Sequence, residues 1–202
     1  MLALRGPATQ KLRWVRRIVN RLVYLKVFHE FPIWEFRAPV FQVFSQASDG
    51  ILAHMPDIGT EHLQKVRESF ARQGLMAHLG ARITELRQGF VEIRASYRPE
   101  LTQQHDYFHA GVSGAIADSA CGYAAYSLMP ADSSVLTVEY KINLLAPAAG
   151  EELIARAKVV RSGKTLKVCS AEVYARKDGT ETHCATMLAT IMCLPGKPHR
   201  AG

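Results

Sequence analysis

Residues 108–125 read FHAGVSGAIADSACGYAA, and the composition of this segment is the clearest indication of the fold. From Gly111 to Met129 most positions are Gly, Ala, Ser or Cys, and the Lys and Glu that surface helices use are absent. Small side chains on every side let neighbouring backbone approach a helix closely. The composition therefore predicts a long helix that the rest of the domain encloses.

The segments on either side of this helix predict an antiparallel sheet. A helix opens at Thr60, with Thr60 as its predicted cap, and Gly74 is predicted to end it. Two strands follow around Gly89. Four strands come after the central helix, and turns containing Gly separate the last three, which cover residues 151–161, 164–177 and 180–193. This order predicts an α+β fold with an antiparallel sheet and one central helix.

Alternation of apolar and polar residues assigns faces to two of the strands. In residues 91–98, the alternation predicts that Glu92 lies on a solvent-exposed face. In residues 136–143, it groups Leu136 with the apolar side and Thr137 with the polar side.

The central helix contains one acidic residue, Asp118. Between Tyr107 and Ala131, Asp118 and His109 are the two residues whose side chains ionise near or below neutral pH. A buried carboxylate without a partner lowers the stability of the fold by several kcal/mol, so a catalytic or structural role is expected for Asp118. One interpretation is a base or nucleophile held in a cleft. The other is a structural carboxylate that caps an element or pairs with a basic residue on a neighbouring strand.

His109, Ala110 and Gly111 directly precede or open the helix. A helix N-terminus offers free N–H groups and the positive end of a dipole, which suit a developing oxyanion. Gly111 lets a ligand approach the backbone. For His109, a hydrogen-bonded anchor of the loop and direct catalysis are both open.

The segment 108–125 resembles the signature of the PaaI-like thioesterases, the phenylacetic acid degradation branch of the hotdog superfamily. The likeness covers about residues 58–195, including LTQQ before the motif and VEYKINLLAPA after the helix. Ala110 stands where the family has the first of two glycines. The resemblance implies a hotdog fold, with the sheet wrapped around the central helix.

The resemblance also implies a site. Asp118 corresponds to the carboxylate that activates water or attacks the thioester, the Gly111 N–H to the oxyanion donor, and His109 to the residue that supports the loop. Gln103 takes the place of a polar amide near the leaving group or water, and Thr137 that of a hydroxyl that positions the water. Two subunits share one sheet in such folds, which implies a homodimer or homotetramer with sites at the dimer interface.

The charge distribution argues against nucleic acid as a partner. Residues 1–54 hold 8 Lys/Arg against 3 Asp/Glu, while the rest holds 17 against 15. The four cysteines form neither a CxxC pair nor a Cys/His metal pattern, which fits small reduced core residues and a cytoplasmic protein. No apolar run is long enough for a membrane span.

Residues 1–54 are predicted to be an extension of the thioesterase domain at 55–196, and residues 197–202 a C-terminal tail. Residues 11–28 have the pattern of a basic amphipathic helix, with no acid before Glu30. Such a helix suits membrane attachment or targeting. The alternatives are an upstream segment that the native protein lacks, since Met55 offers a natural start, and simple packing on the domain.

Ser162-Gly163-Lys164-Thr165 imitates the end of a phosphate-binding P-loop, but Lys158 stands where the loop requires Gly. The segment is predicted to be a hairpin turn, from which Arg161 or Lys164 could meet a CoA phosphate. Gly111-Val112-Ser113-Gly114 does not match a GxSxG nucleophile elbow.

Hydrolysis of an acyl- or aryl-CoA thioester is therefore the predicted function, with no cofactor and no metal. Two other functions are considered. A hotdog dehydratase pairs a loop His with a helix Glu or Asp, but its Pro/Gly-rich spacing around the His is missing. An acyl-CoA sensor would bind without turnover, and Asp118 argues against it.

Overall fold

The computed structural model describes residues 60–196, so the predictions for residues 1–54 and 197–202 lie outside the described residues. Three helices, a short 3-10 turn and six strands follow one another along this range. In chain order they are α1 (Thr60–Ala71), α2 (Gly74–Leu79), β1 (Arg82–Arg87), β2 (Phe90–Ser96), the 3-10 turn (Pro99–Leu101), α3 (Ala110–Tyr126), β3 (Ser134–Leu144), β4 (Glu152–Ser162), β5 (Leu166–Lys177) and β6 (Thr180–Leu194).

The six strands form one antiparallel sheet in the order β1-β2-β4-β5-β6-β3. Asp178 and Gly179 both have positive φ, 49° and 77°, which is the backbone that a two-residue hairpin turn between β5 and β6 requires. The chain crosses the sheet through α3 and sends β3 to one edge. The predicted α+β hotdog architecture is confirmed.

Helix α3 lies against the sheet along its length, and its small residues make this possible. Its fully buried residues pack against β2, β4 and β5 above all; they are Ile116, Ala117, Ala120, Cys121, Ala124 and Ala125. All four cysteines are buried and free, as the sequence predicted for small core residues. A helix of larger residues would stand too far from the sheet to close this core.

The first predicted helix is in fact two. α1 ends at Ala71, and Gly74 begins α2 instead of ending α1. Gly80 ends α2 in the left-handed conformation, at φ 63°. Helix α1 begins at Thr60 itself, so the predicted cap is the first helical residue.

The face of β2 that carries Glu92 is covered by other side chains, although the sequence predicts that it is exposed to solvent. Glu92 is 6% exposed because Arg94 and Arg156 each bond its carboxylate at 2.7 Å, and Thr84 donates to it at 2.7 Å. Burial alone would raise the pKa of Glu92, but these hydrogen bonds lower it to about 2. Alternation found the correct face of the strand, but Arg94 of the same strand and Arg156 of β4 cover it.

A β-bulge shifts the phase of β3 between Thr137 and Glu139. Thr137 consequently lies on the side of the sheet that faces α3, opposite Ile191 of β6, while Leu136 is 56% exposed. The alternation that groups Leu136 with the apolar side and Thr137 with the polar side therefore does not hold across the bulge. An extra residue in one strand reverses every assignment beyond it.

Candidate active site

Asp118 lies in the middle of α3, on the half-buried face of the helix. The Thr137 hydroxyl donates a hydrogen bond to Asp118 Oδ1 at 2.8 Å. Burial raises the pKa of Asp118, and the Thr137 hydrogen bond partly offsets that rise. No Lys or Arg among residues 60–196 pairs with this carboxylate, so the alternative of an ion pair with a neighbouring strand is not what the structure has. The structure thus brings two predicted site residues together.

The N-terminus of α3 is closed by its own cap. His109 is the N-cap residue, and its Nδ1 accepts a hydrogen bond from the Gly111 N–H at 2.9 Å. Since Nδ1 accepts, the ring proton belongs to Nε2. The donor that the sequence predicted for the thioester oxygen is therefore engaged with His109 in this conformation, and it becomes free only when the ring moves.

The loop before α3 is held by backbone hydrogen bonds. The His109 N–H donates to the Leu101 carbonyl at 2.8 Å, and the Gln103 N–H donates to the Tyr107 carbonyl at 2.9 Å. The Gln103 side chain accepts from the His105 N–H through Oε1 at 2.6 Å. This bond fixes the amide oxygen, so the NH₂ group is the part of Gln103 that remains to donate.

Gly111 and Asp118 share one face of α3 but not one point on it. They are seven positions apart in the sequence, which corresponds to about 10 Å along the helix axis. A single thioester carbonyl therefore cannot touch both groups of the same chain.

Arg161 and Lys164 lie far from Gly111. They flank the hairpin turn between β4 and β5, where the Gly163 N–H donates to the Leu166 carbonyl at 2.9 Å. This hairpin is at the C-terminal end of α3, because Val159 bonds Gly89, and the Gly89 N–H donates to Ser127 Oγ at 2.8 Å. The predicted turn is confirmed, and both basic side chains are exposed.

A cleft of about 370 Å³ adjoins the N-terminal half of α3. Its walls come from α2, from the 3-10 turn with Thr102, and from α3, including His109, Gly111 and Ala115. The sequence does not predict the contribution of α2, because Gly74 is typical of the end of a helix. Leu75 and Leu79, four residues apart, were the signal that a further helical turn follows.

Residues 60–196 bring no three His, Cys, Asp or Glu side chains into a group that could hold a metal ion. None of the helices described between Thr60 and Tyr126 has the length and apolarity that crossing a bilayer requires.

Comparison with known proteins decides the family. A model described as the thioesterase superfamily matches residues 105–182. The crystal structure of a thioesterase family protein from Silicibacter pomeroyi is 55% identical, with a TM-score of 0.66, and the match covers 67% of this chain and 99% of that one. This chain belongs to the thioesterase superfamily. Membership in this superfamily supports thioesterase activity as a general class.

Solved structures of lower sequence identity share the fold. The Escherichia coli PaaI protein, from the phenylacetic acid degradation operon, is 22% identical with a TM-score of 0.61, covering 68% of this chain and 96% of its own. A Haemophilus influenzae thioesterase is 20% identical with a TM-score of 0.59, covering 68% and 94%. At these identities the likeness concerns the fold alone, and the predicted PaaI-like resemblance fits it. No curated protein matches the chain.

Proposed function

We propose that this protein is a cytoplasmic acyl-CoA thioesterase, which hydrolyses an acyl- or aryl-CoA to the free acid and CoA. The observation that carries the proposal is the half-buried Asp118 carboxylate with its Thr137 hydrogen bond, on a helix whose N-terminus bears Gly111. The four buried, free cysteines fit a reducing compartment.

Asp118 acts as general base or as nucleophile. As a base it takes a proton from water while the water oxygen attacks the thioester carbon, and the proton then passes to the departing CoA sulfur. As a nucleophile it attacks the thioester carbon, the C–S bond breaks, and CoA leaves as the thiolate, so that a mixed anhydride joins Asp118 to the acyl group. Water then cleaves this anhydride, which releases the free acid, restores the Asp118 carboxylate and supplies the proton that the CoA thiolate takes up. Burial, by raising the pKa of Asp118, makes the carboxylate a better proton acceptor than an exposed aspartate. The Thr137 hydroxyl fixes the carboxylate and orients the water.

Negative charge develops on the thioester oxygen during attack, and the Gly111 N–H stabilises it. Because His109 Nδ1 accepts this N–H at 2.9 Å, the substrate oxygen must replace the imidazole. The Gln103 NH₂ group, whose partner oxygen is fixed by His105, is the second donor near the substrate. Ala110 keeps the turn narrow.

Each site takes residues from two subunits. The separation of about 10 Å between Gly111 and Asp118 supports this, because a carbonyl held at Gly111 must lie within reach of a catalytic carboxylate, either directly or through one water. Strand β3 offers the contact surface, since it is a sheet edge with exposed apolar side chains, namely Leu136, Val138 and Tyr140. Exposed apolar edges of this kind pair with another chain. We therefore propose a homodimer, or a homotetramer built from such dimers.

Arg161 and Lys164 are proposed to bind CoA phosphate groups. They are exposed and lie at the end of α3 remote from Gly111, so within a dimer they would serve the site to which their own chain gives Asp118.

The direct test measures free-thiol release from a panel of acyl-CoAs, including phenylacetyl-CoA, by the purified full-length protein. Asp118→Asn should abolish most of the turnover, whereas Asp132→Asn, at an exposed loop aspartate, should not. Binding of acyl-CoA without thiol release by the wild type would contradict the proposal and favour a sensor.

A further inference from the structure

Half of the residues that line the cleft beside α3 are aliphatic, with Leu79, Leu101 and Val112 buried and Ala115 half-buried. The polar side chains in the lining are those of His78, Glu100, Thr102 and His109. At about 370 Å³ the cleft is more than twice the size of the roughly 150 Å³ cavity that accommodates benzene. The aliphatic half of the lining gains free energy by taking an apolar group out of water.

The charged side chain that lines the cleft disfavours the CoA end of a substrate. The described lining residues include neither Lys nor Arg, and Glu100 contributes a carboxylate at the rim. The guanidinium of Arg98, outside the lining, donates to the His78 carbonyl and is therefore already engaged. Glu100 is exposed, and the described residues provide it with no ion-pair partner. The phosphates of CoA are anionic and require cations, so a carboxylate at the rim repels them.

The position of the cleft relative to Gly111 determines which part of a thioester reaches it. Ala115 follows Gly111 by one helical turn on the same face, about 6 Å along the axis. With the carbonyl oxygen bound at Gly111, one of the two substituents of the carbonyl carbon extends past Ala115. Because Glu100 disfavours the CoA phosphates there, this substituent is the acyl chain.

We propose that this cleft is the acyl-binding pocket, that it selects uncharged aliphatic acyl groups of medium length, that Ala115 sets the length, and that Glu100 excludes acyl groups ending in a carboxylate. The proposal rests on the proposed thioesterase function for its substrate but not for the identity of the pocket.

Chain length is tested with Ala115→Leu, which narrows the pocket. The ratio of kcat/KM for decanoyl-CoA to that for butyryl-CoA should fall at least about tenfold. The matched control is Ala77→Leu, because Ala77 is an exposed residue of α2 and lines a depression outside the cleft. That control should leave the ratio unchanged. The smaller change Ala115→Val should act in the same direction if the leucine variant does not fold.

Charge selection is tested with adipoyl-CoA and hexanoyl-CoA, which have equal length and differ by one terminal carboxylate. Glu100→Lys should raise the adipoyl to hexanoyl ratio of kcat/KM at least about tenfold, since the repulsion becomes attraction. Glu100→Gln, which changes charge but hardly size, should raise the same ratio by a smaller factor.

Calorimetric binding of the same acyl-CoAs to full-length Asp118→Asn protein, with and without Ala115→Leu, separates the two proposals. Turnover by the wild type with a decanoyl to butyryl ratio that Ala115→Leu leaves unchanged would overturn the pocket and spare the thioesterase. Absence of turnover, together with decanoyl-CoA binding that Ala115→Leu weakens, would refute the thioesterase and retain the pocket. If the wild type shows no turnover and acyl-CoA binding does not depend on acyl length, both proposals are refuted.

Discussion

The ionised Asp118 carboxylate is proposed to act in catalysis, but its burial lowers the stability of the folded protein. Burial raises its pKa above the ordinary 3.8, so the folded protein holds the proton more tightly than the unfolded chain. Stability therefore falls as the pH rises from 3.8 through the raised pKa, and above that window the charged form carries the whole penalty.

Asp118→Asn should raise the Tm at pH 7 and change it much less at about pH 3, where the wild-type group is protonated as well. The amide oxygen can still accept the Thr137 hydrogen bond, so the change isolates the charge. The same variant should lose kcat at least about 100-fold. Thermal unfolding at the two pH values, alongside kinetics, checks both parts; an equal Tm shift at both pH values would contradict the ionisation argument.

Two substitutions at Gly111 distinguish the role of its backbone N–H from the role of the His109 side chain that accepts its hydrogen bond. Gly111→Pro removes the N–H and should lower kcat by a factor corresponding to about 3 kcal/mol. Gly111→Ala keeps the N–H, but its Cβ would lie 2.9 Å from His109 Nδ1, so the ring must shift while the donor stays. We expect the alanine variant to keep far more kcat than the proline variant. Equal losses would show that packing around His109, not the N–H, matters.

The sequence predicted which residues belong to the candidate site better than it predicted the hydrogen bonds between them. Asp118 was found because it is the carboxylate of a helix made of small residues. The His109–Gly111 hydrogen bond was not found, because a side-chain rotamer decides whether a cap closes on N2, and spacing contains no information about rotamers.

Among the elements, the outer face of the sheet depends on buried charge. Glu92 holds Arg94 of its own strand and Arg156 of the neighbouring strand β4, and Glu152, 4% exposed, bonds arginines of β1, β2 and β5. Removing one member leaves other buried charges without compensation.

Glu92→Gln should lower the free energy of unfolding at pH 7 by about 3 kcal/mol. The lowered pKa of Glu92 contributes stability that is present above 4.5 and is lost as the pH falls toward about 2. The gap between variant and wild type should therefore narrow across that window in urea titrations. Glu85→Gln, in the exposed pair with Arg87, is the control and should change stability by less than about 1 kcal/mol.

Element types followed from the sequence, whereas details of register did not. The hairpin at Asp178–Gly179 was predictable because its residues tolerate positive φ. The bulge in β3 was not, because β-branched and polar residues on both sides of Thr137 suit a regular strand equally well. Thr137 was nevertheless assigned to the site through the family resemblance, and the structure places it against Asp118.

That residues 1–54 form an extension of the thioesterase domain stays a prediction. A chain that begins at Met55 should be oligomeric and as active as the full chain, because a relative matched over 99% of its length needs only 67% of this chain. Size-exclusion chromatography and thiol release compare the two chains. Vesicle co-sedimentation at low and high salt then shows whether the extension binds anionic membranes. An insoluble or unfolded truncated chain would contradict the prediction.

The distance between Gly111 and Asp118 predicts how two inactive variants behave when they form dimers with each other. If each site takes Gly111 from one subunit and Asp118 from the other, a hybrid of Gly111→Pro and Asp118→Asn chains contains one intact site and one doubly damaged site. Co-expression of two inactive proteins should then restore activity, to about a quarter of the wild-type level if dimers form at random. A co-expressed mixture as inactive as its parents would mean that each chain works alone.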